Sequence, residues 1–310
     1  MSLDRHRWLG LYLRGVAMGA ADLVPGVSGG TIALITGIYD RLIAAIASVG
    51  IDALRMVLSG KVKDAWAHID GNFLVAVGAG VLSSVLALAS LLNWLLLNYP
   101  LPLWALFCGL ILASTIHLFY TTRIDWTGRD YALWLIGVGA ATVIGLMQAT
   151  QLPVGPVSVF FAGAVAISAM LLPGISGSFL LLILGMYQPV ISALVNIELV
   201  TIGLFALGCL CGLLVFSRLL KALLARARRA TMAILCGFLL GSVIMLWPWQ
   251  QPVSSVIDRH GDTRVVQSVP VLPQTYEELV GEPMLWLCLL AFSLGAGFVS
   301  LLLSVGSVEP

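Results

Sequence analysis

The sequence predicts an all-α polytopic membrane protein made of two inverted-topology repeats, each a re-entrant helical hairpin followed by three transmembrane helices. Three observations carry that prediction. Of the 310 residues, 60% are apolar and only 10% are charged, with a mean hydropathy of +1.03, a composition foreign to soluble domains. Apolar runs long enough to cross a hydrocarbon core of about 30 Å recur along the chain. The block Pro25-Gly26-Val27-Ser28-Gly29-Gly30-Thr31 returns 148 positions later as Pro173-Gly174-Ile175-Ser176-Gly177-Ser178-Phe179.

Taken in order, the chain opens with Arg5, His6 and Arg7 before an apolar stretch, as a secretory leader does. Arg14 and Asp22 interrupt the apolar core that a leader needs, so the segment reads as retained. Residues 8–24 are apolar but short, and a proline-glycine break precedes a second apolar stretch at 31, which gives a first hairpin over 8–58. Transmembrane helices follow at 72–97, 103–120 and 131–149, closing a first repeat at residue 150. The second repeat, 151–310, has its hairpin at 157–192 and helices at 197–220, 231–249 and 283–304. Broken backbone at membrane depth survives only where protein buries it or where it lines a cavity. The 250–282 stretch, acidic and carrying Pro252, Pro270 and Pro273, reads as an ordinary external loop.

Basic residues set the orientation. With the amino terminus cytoplasmic and both hairpins returning to their own side, fourteen of the sixteen Lys and Arg fall inside and only Arg259 and Arg264 outside. Both termini are then cytoplasmic in a multi-pass membrane protein. An odd number of crossings separates the hairpins, so the second enters from the opposite side, as paired broken helices do in secondary transporters. The repeat match continues through Leu34-Ile35 with Leu182-Ile183, Gly37 with Gly185 and Tyr39 with Tyr187.

The break has its own chemistry. Pro25-Gly26 and Pro173-Gly174 end the incoming helices at the hairpin turns, while Ser28, Gly29, Gly30 and Thr31, with Ser176, Gly177 and Ser178, begin the outgoing ones. Free N–H groups at a helix start converge on one spot that carries roughly +0.5 charge from the macrodipole. Hydroxyls add donors, so two such starts meeting from opposite sides describe an anion cradle suited to phosphate or carboxylate. Asp22 faces Met170 in the repeat, and Asp40-Arg41 faces Gln188-Pro189. Ionisable groups near membrane depth are functional candidates because inserting one costs about 3 kcal/mol. Asp22 is read either as a proton relay or cation holder, or as a residue that caps the hairpin turn or pairs with Arg14. Arg14 contributes to anion binding or snorkels to the headgroups. Arg41 is an interfacial anchor or hands over the substrate.

Other classes fit less well. The five cysteines lie in apolar runs without ligand spacing, so neither a metal site nor another cofactor is expected. A net charge of +1 gives no reason to expect nucleic-acid binding. Gly26-Val27-Ser28-Gly29 has the form of an intramembrane serine protease motif, but a serine nucleophile needs a base within reach. His6, His68 and His260 fall in loops or termini and His117 near a helix end, so no enzyme is expected. An ion-coupled transporter of a small soluble anion is the rival reading. The spacings Gly208/Gly212 and Gly237/Gly241 favour close helix contact, either within one chain or in a homo-oligomer.

From Met18 to Tyr39, through Asp22, Pro25, Gly26, Ser28, Gly29, Gly30 and Thr31, the sequence resembles a bacterial membrane family formerly known only as a domain of unknown function, the polyprenyl-phosphate transporters. The resemblance extends over essentially the whole chain. It implies a substrate like undecaprenyl phosphate, the lipid carrier of cell-envelope synthesis, returned from the outer to the inner leaflet among the membrane lipids. A coupling proton or sodium ion would accompany it. Rocking of one half against the other would expose the phosphate to each leaflet in turn.

Overall fold

The structure, a computed structural model, describes residues 5–23, 28–147, 152–257 and 263–306. Its first part runs α1 (Arg5–Asp22), α2 (Gly29–Ile35), α3 (Tyr39–Ser48), α4 (Ile51–Leu58), α5 (Val62–His68), α6 (Gly71–Asn98), α7 (Pro100–Thr122) and α8 (Gly128–Leu146). Then come α9 (Pro156–Leu171), α10 (Gly177–Ile183), α11 (Tyr187–Val195), α12 (Leu199–Arg226) and α13 (Arg228–Leu246). Strands β1 (Gln250–Ile257) and β2 (Thr263–Pro270) precede α14 (Pro273–Leu279) and α15 (Leu285–Gly306).

Among the described residues, five helices are long and apolar enough to cross a membrane: α6, α7, α8, α12 and α13. The chain is thus an α-helical polytopic membrane protein, and α15 is its last apolar helix. Large side chains such as Leu86, Leu97, Val215 and Trp286 are exposed on these helices, as expected where the surrounding solvent is lipid and not water. Local chemistry sets the helix starts. Pro100 and Pro156 occupy first-turn positions where a missing N–H costs nothing. Asp130 caps α8 by accepting from the Thr127 N–H at 2.8 Å and the Thr127 hydroxyl at 2.7 Å.

Two expectations need correction. The 250–282 stretch is not an ordinary loop: β1 and β2 pair antiparallel, with register shifts between Pro252 and Ser255, and α14 follows. Val253, Val256, Val265 and Val266 supply the β-branched residues that favour strand. The first hairpin also ends sooner than residue 58. After α3, the chain forms α4 and α5, two short helices packed on each other, with Ile51, Leu54, Leu58 and Val62 exposed.

The hairpins share one local geometry. α2 and α10 have the same length and lie 148 residues apart. Each ends on a left-handed glycine, Gly37 (φ 73°) and Gly185 (φ 69°). In each, the following N–H reaches back into the helix, Ile38 to Ala33 at 3.0 Å and Met186 to Leu181 at 2.9 Å. This is the glycine stop that satisfies orphan carbonyls at a helix end. α10 and α11 bend by 108° at this break.

Glycines bring the long helices into backbone contact. A Cβ at Gly80 of α6 would strike the Tyr12 carbonyl of α1, and one at Gly208 of α12 would strike the Phe160 carbonyl of α9. Tyr12 and Phe160 are 148 residues apart, but Gly80 and Gly208 are 128 apart; the twenty-residue difference is the α4–α5 segment. Gly212 meets Ala164, while Gly237 and Gly241 meet Trp134 and Val138 of α8. Both glycine pairs therefore serve contacts within one chain. α7 packs on α15 through Gly109 and Gly295 in the same way. Between them lies a core that includes Tyr39, Ile43, Phe73, Ile111, Leu235 and Leu239.

Candidate functional site

The start of α2 meets the turn of the second hairpin. Ser28 is extended (φ −124°, ψ 133°) and its hydroxyl oxygen accepts from the Gly30 N–H at 3.1 Å, the N-cap bond that its residue type favours. The same hydroxyl donates across to the second hairpin, to the Met170 carbonyl at 3.1 Å, with the Leu172 carbonyl at 3.4 Å. Thr31 returns the contact: its hydroxyl oxygen accepts from the Gly174 N–H at 2.9 Å. Tyr39 adds a third link by donating to the Leu171 carbonyl at 2.8 Å. Ser28, Thr31 and Tyr39 are all buried.

The first tip is internally satisfied. The Gly29 N–H donates to Asp22 at 2.6 Å, the Gly30 N–H to the Ser28 hydroxyl, and the Thr31 N–H to the Ser28 carbonyl at 2.9 Å. A carboxylate on a helix-start N–H is a charge-assisted bond, so Asp22 sits where a bound anion would sit. A Cβ on Gly29 would come within 3.0 Å of the Asp22 carboxyl carbon, so any side chain there would push the carboxylate aside.

The second tip differs. Gly174 is left-handed at φ 88°, and a Cβ on it would lie 2.9 Å from the Ser242 hydroxyl and 3.0 Å from the Phe238 carbonyl. Ser176 makes no cap bond. Its hydroxyl instead pairs with that of Ser178 at 2.8 Å. Among the described residues, the Gly177, Ser178 and Phe179 N–H groups have no hydrogen-bond acceptor. Met170 stands where the first tip has Asp22, so this end lacks an internal anion.

The remaining candidates fall elsewhere. Pro25 and Gly26 lie outside the described residues, while Pro173 and Gly174 form the buried second turn. Among the described residues, Arg14 is half-buried on α1 without an ion-pair partner, so the Arg14 to Asp22 pairing does not form. Arg41 pairs with the part-exposed Asp70 at 2.6 Å and stacks on the buried Phe73 ring at 4.4 Å, both at the start of α6 and away from the tips. Asp40 pairs with Arg228 at 2.7 Å. No group of three His, Cys, Asp or Glu suited to a metal ion occurs among the described residues. Tyr39 is the site residue that sequence reasoning left unassigned, although its match with Tyr187 was visible.

Comparison with known proteins places this arrangement. Residues 18–264 match the model of a family described as undecaprenyl phosphate translocase-like. The chain is 40% identical over 291 residues to a polyprenyl-phosphate transporter of Vibrio cholerae serotype O1, covering 93% of this chain and 94% of that one. It is 34% identical over 263 residues to a polyprenyl-phosphate transporter of Staphylococcus aureus, covering 79% of this chain and 88% of that one. No solved structure matches the chain. With the family model spanning both hairpin tips and relatives that carry the names of transporters and not enzymes, this chain belongs to the undecaprenyl phosphate translocase-like family.

Proposed function

We propose that this protein carries undecaprenyl phosphate from the outer to the inner leaflet of the bacterial cytoplasmic membrane, returning the carrier lipid for cell-envelope synthesis. The names of its relatives support the substrate class. The observation that carries the reading is the contact between the tips, where Ser28 and Thr31 of one hairpin bond the backbone of the other at Met170 and Gly174. Physical chemistry supplies the need. A phosphate headgroup crosses hydrocarbon slowly because of its desolvation cost, whereas a long prenyl tail gains about 0.8 kcal/mol per buried CH₂ and stays in lipid. Only the head has to be carried.

In this reading the phosphate is taken by the Gly177, Ser178 and hydroxyl donors of the second tip, and by the Gly29 and Gly30 donors of the first once Asp22 gives way. Protonation of Asp22 would weaken its hold on Gly29, tying anion entry to a proton. The halves are related by a two-fold axis in the membrane plane, with both termini cytoplasmic. Whole-half rocking would have to break the glycine contacts between α7 and α15 and between α8 and α13, both of which join one half to the other. The motion is therefore assigned to the pairs α1/α6 and α9/α12, each carrying a hairpin, against the four-helix centre of α7, α8, α13 and α15.

The test is leaflet exchange of labelled undecaprenyl phosphate in proteoliposomes under proton or sodium gradients, with undecaprenol and a short-chain soluble phosphate as controls. Exchange of the lipid phosphate alone is expected. Movement of the soluble phosphate without the lipid would overturn the substrate.

A further inference from the structure

A second basic feature lies at the opposite end of α3 from the tips. A groove of about 410 Å³ opens between α3 and the end of α12, lined by Ala47, Arg218, Lys221, Ala222, Ala225 and Arg226. Its lining is three alanines and three cations. Arg218 is committed to the fold: its guanidinium donates to the Val49 carbonyl at 2.9 Å and packs against Gly50, bracing the elbow between α3 and α4. Lys221 and Arg226 are exposed, and among the described residues neither has an ion-pair partner. Nearby cations are paired, Arg228 with Asp40 and Arg229 with Asp130.

We propose that this groove is a docking subsite for the phosphate monoester head of a polyprenyl phosphate on the cytoplasmic side, distinct from the hairpin tips. Two free cations beside a third match a monoester dianion better than the single charge of a phospholipid diester. The open sides would leave the tail in the bilayer, and the small lining residues Ala47, Ala222 and Ala225 would let the head approach the helix backbone. Basic pockets between membrane helices on this side hold lipid phosphates by the same electrostatics. α3 joins the two places: Tyr39 bonds the second tip at its start, and Ala47 lines the groove about 12 Å further along the helix axis. The inference rests on the polyprenyl-phosphate reading above and adds to it a delivery site for the released lipid.

The experiment uses the full chain in nanodiscs with a photo-reactive amino acid at position 222 and radiolabelled undecaprenyl phosphate. Labelling is expected to fall about tenfold in the double variant K221E/R226E, to persist in the charge-preserving swap K221R/R226K, and to decline with added salt in the unmodified background. Unlabelled undecaprenyl phosphate should compete, while undecaprenol, inorganic phosphate and excess phosphatidylglycerol should not. Equal labelling after charge reversal, insensitivity to salt, or equal competition by phosphatidylglycerol would overturn the subsite. Leaflet exchange in the same variants separates the two proposals. Unimpaired exchange with charge-insensitive labelling removes the groove alone, whereas charge-dependent labelling in a chain that exchanges no lipid phosphate removes the transport reading and leaves the groove.

Discussion

The carboxylate of Asp22 accepts the backbone N–H of Gly29 at 2.6 Å, so a residue at the end of the incoming helix fills the anion position at the start of the outgoing one. The site contains its own competitor. On the proposed reading, a phosphate approaching this tip would have to displace a bonded carboxylate, whereas at the second tip, with Met170 in the equivalent place, it would meet open donors.

Asp22→Asn keeps an acceptor near Gly29 but removes the charge and the titration. Leaflet exchange in this variant is expected to lose its response to an imposed pH gradient, with the initial rate changed by about tenfold. A gradient response equal to that of the unmodified protein would remove Asp22 from the coupling.

The two serines should separate stability from transport. Ser28→Ala removes an N-cap bond and a bond to the other hairpin, and is expected to cost about 1–2 kcal/mol, read as a lowered thermal midpoint. Ser176→Ala removes only a bond to a neighbouring hydroxyl, so its midpoint should shift by less than the equivalent of about 0.5 kcal/mol. Its exchange rate is nevertheless expected to drop, because the second tip offers the open donors.

Neighbouring glycines on α8 give a paired test of the contact with α13. Gly137 has the Gly237 Cα at 3.2 Å from its would-be Cβ, while Gly139 has nothing within 4 Å. Gly137→Ala is expected to destabilise by about 1–3 kcal/mol through overpacking. Gly139→Ala should be neutral or stabilise by up to about 1 kcal/mol through helix propensity. Thermal melts of the two proteins check the contrast.

Arg41→Ala should leave transport within about twofold and cost no more than about 1 kcal/mol, as exposed ion pairs do. A loss of exchange far beyond the loss of folded protein would return Arg41 to the substrate path.

Much of this site was legible because its chemistry is local. Pro-Gly followed by Ser-Gly identifies a helix stop and an N-cap from residue type alone, and the copy at Pro173 shows that the feature is used twice. The role of Asp22 was not decidable from the sequence, because a cap and a relay require the same carboxylate in the same place, and its bond from the Gly29 N–H at 2.6 Å suits both. Gly208/Gly212 and Gly237/Gly241 announced tight packing without naming a partner, since a second chain or the same chain presents an equally small surface. The β1–β2 hairpin was hidden by its prolines and polar residues, although its valines carried a weak strand signal. In α4, the spacing of Ile51, Leu54 and Leu58 showed an apolar face, but the charges between them masked where the first hairpin ended.

The α4–α5 segment has a thermodynamic consequence. A carrier whose halves were interchangeable would have two end states of equal energy, related by the two-fold rotation and populated alike in the absence of any gradient. Twenty residues present in one half only, together with the Asp22 and Met170 difference, lift that degeneracy. Each 1.4 kcal/mol of inequality skews the resting populations about tenfold. On the proposed transport reading, the resting protein would then favour one of its two facing states, a preferred direction of readiness written into its ground state.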